Sequence, residues 1–303
     1  MKRRIRAMAL LAALTLLCGC GKKEAQPQQE DMAVNIVPVE GVTALELCDG
    51  EVTLRFARTD DTWHWVDDGT FPLDQDAVAA LLALPSSLAA AEPVRGQGEL
   101  SGYGLETPKK YVTATADGAD STIYVGSQTS DGRWYVLTPD GVVRLAAQAD
   151  GEALSRSIYD MAVLPELPAI TEENLISLTL TGAEGKQVTF SVDESGVRRS
   201  GARDVTEKTA SLVDELGKLA VTACVDYDPA DGAAAVCGLD VPEAILAVNY
   251  VNAHGGDGAL TLTVGGSTGD GGRYVTLNGD ATIYRMEETG LAQVLTLAAL
   301  GLS

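Results

Sequence analysis

The chain has 303 residues, a formal net charge of -21 and 46% hydrophobic residues. This length suits one large domain or two domains of about 100 to 150 residues each. The strong negative charge repels nucleic acid and anionic lipid headgroups, so we expect no nucleic-acid binding and no electrostatic attachment to a membrane.

The first twenty residues have the order of a secretory signal. Four basic residues lie within positions 2–6, an apolar stretch fills positions 8–17, and Leu17-Cys18-Gly19-Cys20 closes the segment. The apolar stretch is too short to span a hydrocarbon core of ~30 Å. The ending is similar to the bacterial lipoprotein signal. We therefore expect a signal peptide at 1–19 and a lipid on Cys20, for example palmitate, that anchors the chain at the extracytoplasmic face of the cell membrane; a plain secreted protein is the alternative.

Residues 20–38 follow the signal and are rich in Gln, Pro and charged side chains. Such a composition has little apolar surface to bury, so the segment is predicted to be a flexible tether between the lipid and the body.

Residues 39–161 are predicted to form a first β-rich unit. Alternating apolar residues and Asp-Gly turns indicate antiparallel strands on both sides of one central helix at 73–91, which Pro85 can kink or split. A short terminal helix is predicted at 152–161. The predicted strands lie at 44–47, 51–58, 62–66, 111–116, 122–125, 133–137 and 142–145.

After a linker at 162–172, residues 173–303 repeat the same order of elements. Tyr103-Gly-Leu-Glu-Thr-Pro108 matches Cys237-Gly-Leu-Asp-Val-Pro242, and two further pairs of segments match at nearly the same offset. The central helix of the second unit is predicted at 204–224, and its terminal helix at 290–300. We therefore predict an α+β fold of two tandem β-rich units, each with antiparallel strands, one central helix and a short terminal helix.

Trp63 and Trp65 are two residues apart on a predicted strand, so their rings point to one face. They are a possible platform on which a sugar or a peptide ligand could stack. Burial beneath the helix that follows is the alternative, and nothing polar converges on the pair in the sequence.

Three cysteines remain after the signal, namely Cys48, Cys224 and Cys237. At most one intramolecular disulfide can form among them, and Cys224 with Cys237 is the pair closest in sequence. Three buried free thiols are the alternative.

The usual marks of catalysis are missing from the sequence. It has no Gly-x-Ser-x-Gly, His-Glu-x-x-His, Cys-x-x-Cys or Gly-x-x-x-x-Gly-Lys motif. The two histidines, His64 and His254, have no convergent partners. We therefore expect no catalytic residue, no metal site and no cofactor.

Several turn and packing residues together resemble a bacterial family of unknown function, DUF4340. These are Trp63-x-Trp65, Pro72 and Asp74, the helical pattern that follows, Tyr103-Gly-Leu-x-x-Pro108 and the Val-Gly hairpin. The second unit departs from this pattern at the tryptophans. The resemblance implies a noncatalytic role in the cell envelope, with an ABC-type transporter as a candidate partner, and it carries no functional residue over.

Two hypotheses for function follow. The favoured one is a lipid-anchored, noncatalytic binding or scaffolding module that meets a protein or a wall component at the cell envelope. The alternative is an envelope hydrolase that uses a carboxylate pair, because such a pair needs to meet only in space and leaves little trace in sequence.

Overall fold

The structure is a computed structural model that describes residue 37 and residues 40–302. The predicted signal peptide, Cys20 and nearly all of the predicted tether lie outside the described residues. Within the described part of the chain, no helix is long and apolar enough to cross a membrane.

The described residues begin with an antiparallel sheet of eight strands. Their order across the sheet is β3-β2-β1-β5-β6-β7-β8-β4, so β4 crosses to the far edge. The strands are β1 (Val42–Cys48), β2 (Thr53–Thr59), β3 (Thr62–Trp65), β4 (Glu92–Pro93), β5 (Lys110–Ala116), β6 (Ala119–Gln128), β7 (Trp134–Leu137) and β8 (Val143–Ala146).

A second antiparallel sheet has nine strands in the order β12-β11-β10-β9-β14-β15-β16-β17-β13. Here β13 crosses to the far edge, as β4 does in the first sheet. The strands are β9 (Leu175–Gly182), β10 (Gln187–Val192), β11 (Arg198–Ser200), β12 (Arg203–Asp204), β13 (Val221–Asp226), β14 (Ala244–Val251), β15 (Asp257–Ser267), β16 (Gly272–Leu277) and β17 (Ile283–Glu287).

The helices are short and connect or cover the strands. The α-helices are α1 (Gln75–Leu82), α2 (Leu84–Ala89), α3 (Gln148–Glu152), α4 (Ala210–Leu216), α5 (Ala233–Val236) and α6 (Ala292–Leu300). Single 3-10 turns occur at Leu100–Tyr103, Ala153–Ser155, Ile158–Met161, Glu207–Thr209 and Glu288–Leu291. Two mostly antiparallel sheets with a few short helices confirm the predicted α+β class.

Each sheet buries one face beneath its helices. In β5, Val112 and Ala114 are buried and their neighbours in the strand are only half-buried, as strand alternation requires. Val78 of α1 and Leu88 of α2 are fully buried in the same apolar cluster. The second sheet forms its own core, to which α4 and α6 contribute buried side chains.

The predicted helices differ from the observed ones in length. The segment 73–91 is split, because Pro85 lies at the start of α2 and cannot donate a hydrogen bond to the preceding turn. The predicted helix at 204–224 is confined to α4, and its last residues form strand β13, where Val221 and Val225 are β-branched. The helix predicted at 152–161 is replaced by α3 and two 3-10 turns.

The Gly-Leu turn recognised in the sequence packs against the Val-Gly hairpin in both sheets. A side chain at Gly126 would collide with the carbonyl oxygen of Tyr103 and with Leu105. A side chain at Gly265 would collide in the same way with the carbonyl oxygen of Cys237. Glycine is therefore required at both hairpins by close backbone approach.

An aromatic contact joins the regions of the two sheets. The rings of Phe71 and Tyr227 meet edge to face, with centroids 5.2 Å apart. The Tyr227 hydroxyl donates to the carbonyl oxygen of Thr70 at 3.3 Å, and the Tyr159 hydroxyl donates to Asp226 Oδ1 at 3.1 Å. With these contacts, the described residues form one compact body.

Candidate ligand-binding site

Trp63 and Trp65 lie on β3, but they do not form an open platform. Trp63 is 7% exposed and belongs to the first core, and its backbone exchanges hydrogen bonds with the side chain of Gln75. Trp65 is half-buried and packs edge to face against Phe71. Trp63 is therefore a packing residue of the core, which is the second of the two alternatives left open by the sequence.

Cys48, Cys224 and Cys237 are buried free thiols, so the possible Cys224–Cys237 disulfide is not formed in this structure. Burial, with a smaller contribution from Asp226, raises the pKa of Cys224 to about 11. The same two causes raise the pKa of Cys237. Both side chains are therefore protonated at neutral pH and are poor nucleophiles.

Glu215 is a buried acid whose partners are backbone groups. Glu215 is 9% exposed, and its oxygens accept the backbone N–H groups of Gln293 and Val294 at the start of α6. Across the described residues, no group of three His, Cys, Asp or Glu side chains is arranged to hold a metal ion.

A groove of about 580 Å³ runs between α4 and the segment that leads into the second sheet. α4 turns Leu212 and Leu216 into the core, which leaves its polar face toward the groove. The polar side chains of the groove are those of Thr171, Glu172, Ser211, Asp214 and Lys218. Asp214 and Lys218 form an ion pair at 2.6 Å.

Arg198 lies behind this groove with a side chain that is 4% exposed. Its Nη2 donates to Glu172 Oε1 at 3.0 Å and to the carbonyl oxygen of Thr206 at 2.8 Å. Its Nε and Nη1 atoms are buried and have no hydrogen-bond partner. A cavity of about 40 Å³ adjoins the guanidinium, and Glu172 lines both this cavity and the groove.

Arg198 stands where the first sheet has Trp63. Trp63 pairs across the strands with Arg58, and Arg198 pairs with Val192. Arg58 and Val192 each lie two residues beyond the buried Phe of their strand. The second unit, which departs from the family pattern at the tryptophans, has Gly196-Val-Arg-Arg199 in this region, and nothing in the sequence pattern marks Arg198 as buried. An alignment of the two units that places Arg198 opposite Trp63 would have indicated that Arg198 is buried.

The arrangement around Arg198 favours binding of an acceptor group. A guanidinium presents five N–H donors and keeps its charge inside a protein. Burying such a group without acceptors for its donors therefore lowers the stability of the fold. A buried polar group left without its hydrogen bond costs about 1 to 3 kcal/mol. A ligand oxygen that reached the cavity would recover this cost. Glu172 lines both the groove and this cavity, so the two are adjacent at its side chain.

One protein-family model, described as Domain of unknown function (DUF4340), matches residues 63–232 and again residues 206–298. No curated protein matches the chain. No solved structure matches it either. The two matches together cover most of the chain, including the groove, Arg198 and the Gly-Leu turns of both sheets. The chain therefore belongs to the DUF4340 family.

Proposed function

We propose that the protein is a lipid-anchored, noncatalytic binding module on the extracytoplasmic face of the cell membrane. The observation that carries the proposal is the groove beside α4, whose lining residue Glu172 is bonded to a buried guanidinium with unpartnered donors. Ligand sites in proteins are concave and place a few polar groups to orient the ligand. The groove has a volume of about 580 Å³ and is lined by such polar groups, among them Glu172, Asp214 and Lys218.

The two carboxylates of the groove support binding more than hydrolysis. Glu172 is bonded to Arg198, and Asp214 is bonded to Lys218. A carboxylate pair in a hydrolase has to exchange protons with the substrate or attack it. In this structure Arg198 binds Glu172 and Lys218 binds Asp214, which supports a role of these carboxylates in binding.

We propose that Cys20 holds the anchor and that residues 1–19 are removed, which rests on the similarity to the lipoprotein signal. Replacing Cys20→Ala should abolish the incorporation of labelled palmitate and move the protein out of the membrane fraction. Cys18→Ala is the matched control and should leave both unchanged. Labelled Cys20→Ala protein that stayed in the membrane would contradict the proposal.

The tandem organisation also belongs to the proposal, with units at 39–161 and 173–303 joined by 162–172. Two observations support duplication of one unit. The strands have the same order in the two sheets, and Gly126 and Gly265 pack in equivalent ways. The family model matches twice, which agrees with two copies, although its first match runs past the linker to residue 232.

The proposed partner is an envelope protein, and the family resemblance makes an ABC-type transporter the first candidate. The test is a pull-down of the full chain from chemically crosslinked membranes, with the Cys20→Ala protein as the control. We expect an envelope protein with the wild type and a weaker yield with the control. Recovery of no envelope protein from the wild type would count against the binding role.

A further inference from the structure

The guanidinium of Arg198 has more donors than the protein has acceptors for it. Nη2 uses Glu172 and Thr206, while Nε and Nη1 remain unpartnered in a side chain that is 4% exposed. The adjoining cavity of about 40 Å³ exceeds the 10 to 15 Å³ that one water requires. Water or one small oxygen group can therefore enter.

Glu172 is the part of this arrangement that can leave. Its side chain is 71% exposed, and Arg198 Nη2 donates a hydrogen bond of 3.0 Å to it. Water solvates the released carboxylate well, because most of the Glu172 side chain is already exposed. Arg198 by contrast is held by β11 and by its bond to Thr206. A ligand can thus replace Glu172 without disturbing the sheet.

The charges along the groove specify the ligand. Lys218 and Asp214 neutralise each other, and Glu172 neutralises Arg198. When Glu172 swings out, one positive charge remains uncompensated, which a single negative charge balances. A dianion such as phosphate would leave excess negative charge on a chain whose net charge is already -21. A carboxylate also matches the planar donors of a guanidinium.

We infer that the groove binds a carboxylate-bearing ligand, whose carboxylate takes the place of Glu172 on Arg198. This inference rests on the proposed binding function and assigns the chemistry of its ligand. Glu172 then acts as an internal competitor that occupies Arg198 until the ligand arrives. The ligand carboxylate is either a small free acid or an acidic side chain of a bound peptide.

The test follows the Nε–H signal of Arg198 by ¹H–¹⁵N NMR in the full chain. The signal is assigned by its absence in Arg198→Lys or by through-bond correlation within β11 in the wild type. The probes are sodium acetate, an acetylated and amidated Ala-Glu-Ala peptide, and inorganic phosphate. Glu172→Gln removes the competitor, and Glu184→Gln is the matched control because Glu184 forms another exposed ion pair, with Lys186.

We expect acetate or the peptide to shift the Arg198 signal saturably, and to bind Glu172→Gln on the order of tenfold more tightly than wild type or Glu184→Gln. Saturation by the peptide alone identifies a peptide ligand, and saturation by both identifies the carboxylate as sufficient. No saturable shift, equal affinity in the two Gln variants, or tighter binding of phosphate would overturn the inference. If the pull-down from membranes still recovers a partner in those cases, the proposed binding function is retained and only the carboxylate ligand is rejected.

Discussion

Glu215 is a buried carboxylate that connects α4 to α6, the two helices that pack on the second sheet. Its oxygens accept the N–H groups of Gln293 and Val294, so it satisfies backbone donors that the first turn of α6 leaves without partners. Burial raises the pKa of Glu215, and the two hydrogen bonds lower it by less. Burial of the Glu215 carboxylate thus costs desolvation energy, while its hydrogen bonds cap the first turn of α6.

Replacing Glu215 should separate these two effects. Glu215→Leu leaves the N–H groups of Gln293 and Val294 without an acceptor, and we expect a loss of about 1 to 3 kcal/mol in the free energy of unfolding. Glu215→Gln keeps an acceptor oxygen and should lose less than half as much. Urea denaturation at neutral pH measures both. Equal losses in the two variants would show that hydrogen bonding is not the reason.

The raised pKa of Glu215 also predicts a pH dependence. The folded protein holds the Glu215 proton more tightly than the unfolded chain, whose pKa is near the ordinary 4.5. Stability from this group is therefore complete below that value and falls as pH rises through the folded pKa. Relative to Glu215→Gln, the wild type should lose stability on going from about pH 5 to pH 8. A gain in relative stability over that range would contradict the assignment.

Sequence reasoning was uneven at the residue scale. It left packing open for Trp63, and the core position of Trp63 agrees with the apolar alternation of β3. It did not identify Arg198, because local patterns assign a charged residue to solvent and cannot show that a distant backbone closes over it. The partner of Arg198, Glu172, is itself in a different segment of the chain.

At the scale of elements, the close contact between the Gly-Leu turn and the Val-Gly hairpin sets a strict requirement at Gly126. An added Cβ would lie against the Tyr103 carbonyl and the Leu105 side chain, and backbone cannot move aside cheaply. The same contact recurs at Gly265. The packing thus explains why glycine stands at both Gly126 and Gly265.

We expect Gly126→Ala to lower the free energy of unfolding by about 1 to 3 kcal/mol, as overpacking does. Gly102→Ala is the matched control, since Gly102 lies in the same turn region and a Cβ there meets nothing within 4 Å. It should change stability by less than about 0.5 kcal/mol. Chemical denaturation of the two variants decides the point. Similar effects at both positions would argue against the tight contact.

The sequence specified strands better than helices. Alternation located β1, β2 and β5 because each exposes one face and buries the other. The helix at 204–224 was predicted too long, since a run of apolar residues at Leu219 to Val225 satisfies a buried helix or a strand equally well. These residues form a strand because β13 pairs with β17. The two strands are distant in sequence, so a local pattern cannot predict their pairing.

At the scale of the whole molecule, the contact between Phe71 and Tyr227 links regions that are distant in sequence. The flanking hydrogen bonds of Tyr159 with Asp226 and of Tyr227 with Thr70 lie beside it. No periodicity in the sequence points to this contact, because it depends on how the two sheets meet. We infer that it couples the unfolding of the two sheets.

Calorimetry can test the coupling. The body should unfold in one transition in the wild type. Tyr227→Ala removes the ring that packs on Phe71, so we expect the ratio of calorimetric to van't Hoff enthalpy to rise above one as the sheets unfold separately. Tyr227→Phe keeps the ring and loses only the bond to Thr70, and it should retain a single transition. One transition in Tyr227→Ala would show that other contacts suffice.

The binding role of the α4 groove is tested most directly by site-specific photocrosslinking of the full chain in its own membrane. A benzophenone side chain at Ser211 lies in the groove, and the same group at Ser130 lies on an exposed hairpin of the first sheet. We expect a discrete adduct with one envelope protein from Ser211 and none from Ser130. No adduct from Ser211, or the same adducts from both positions, would contradict binding through the groove.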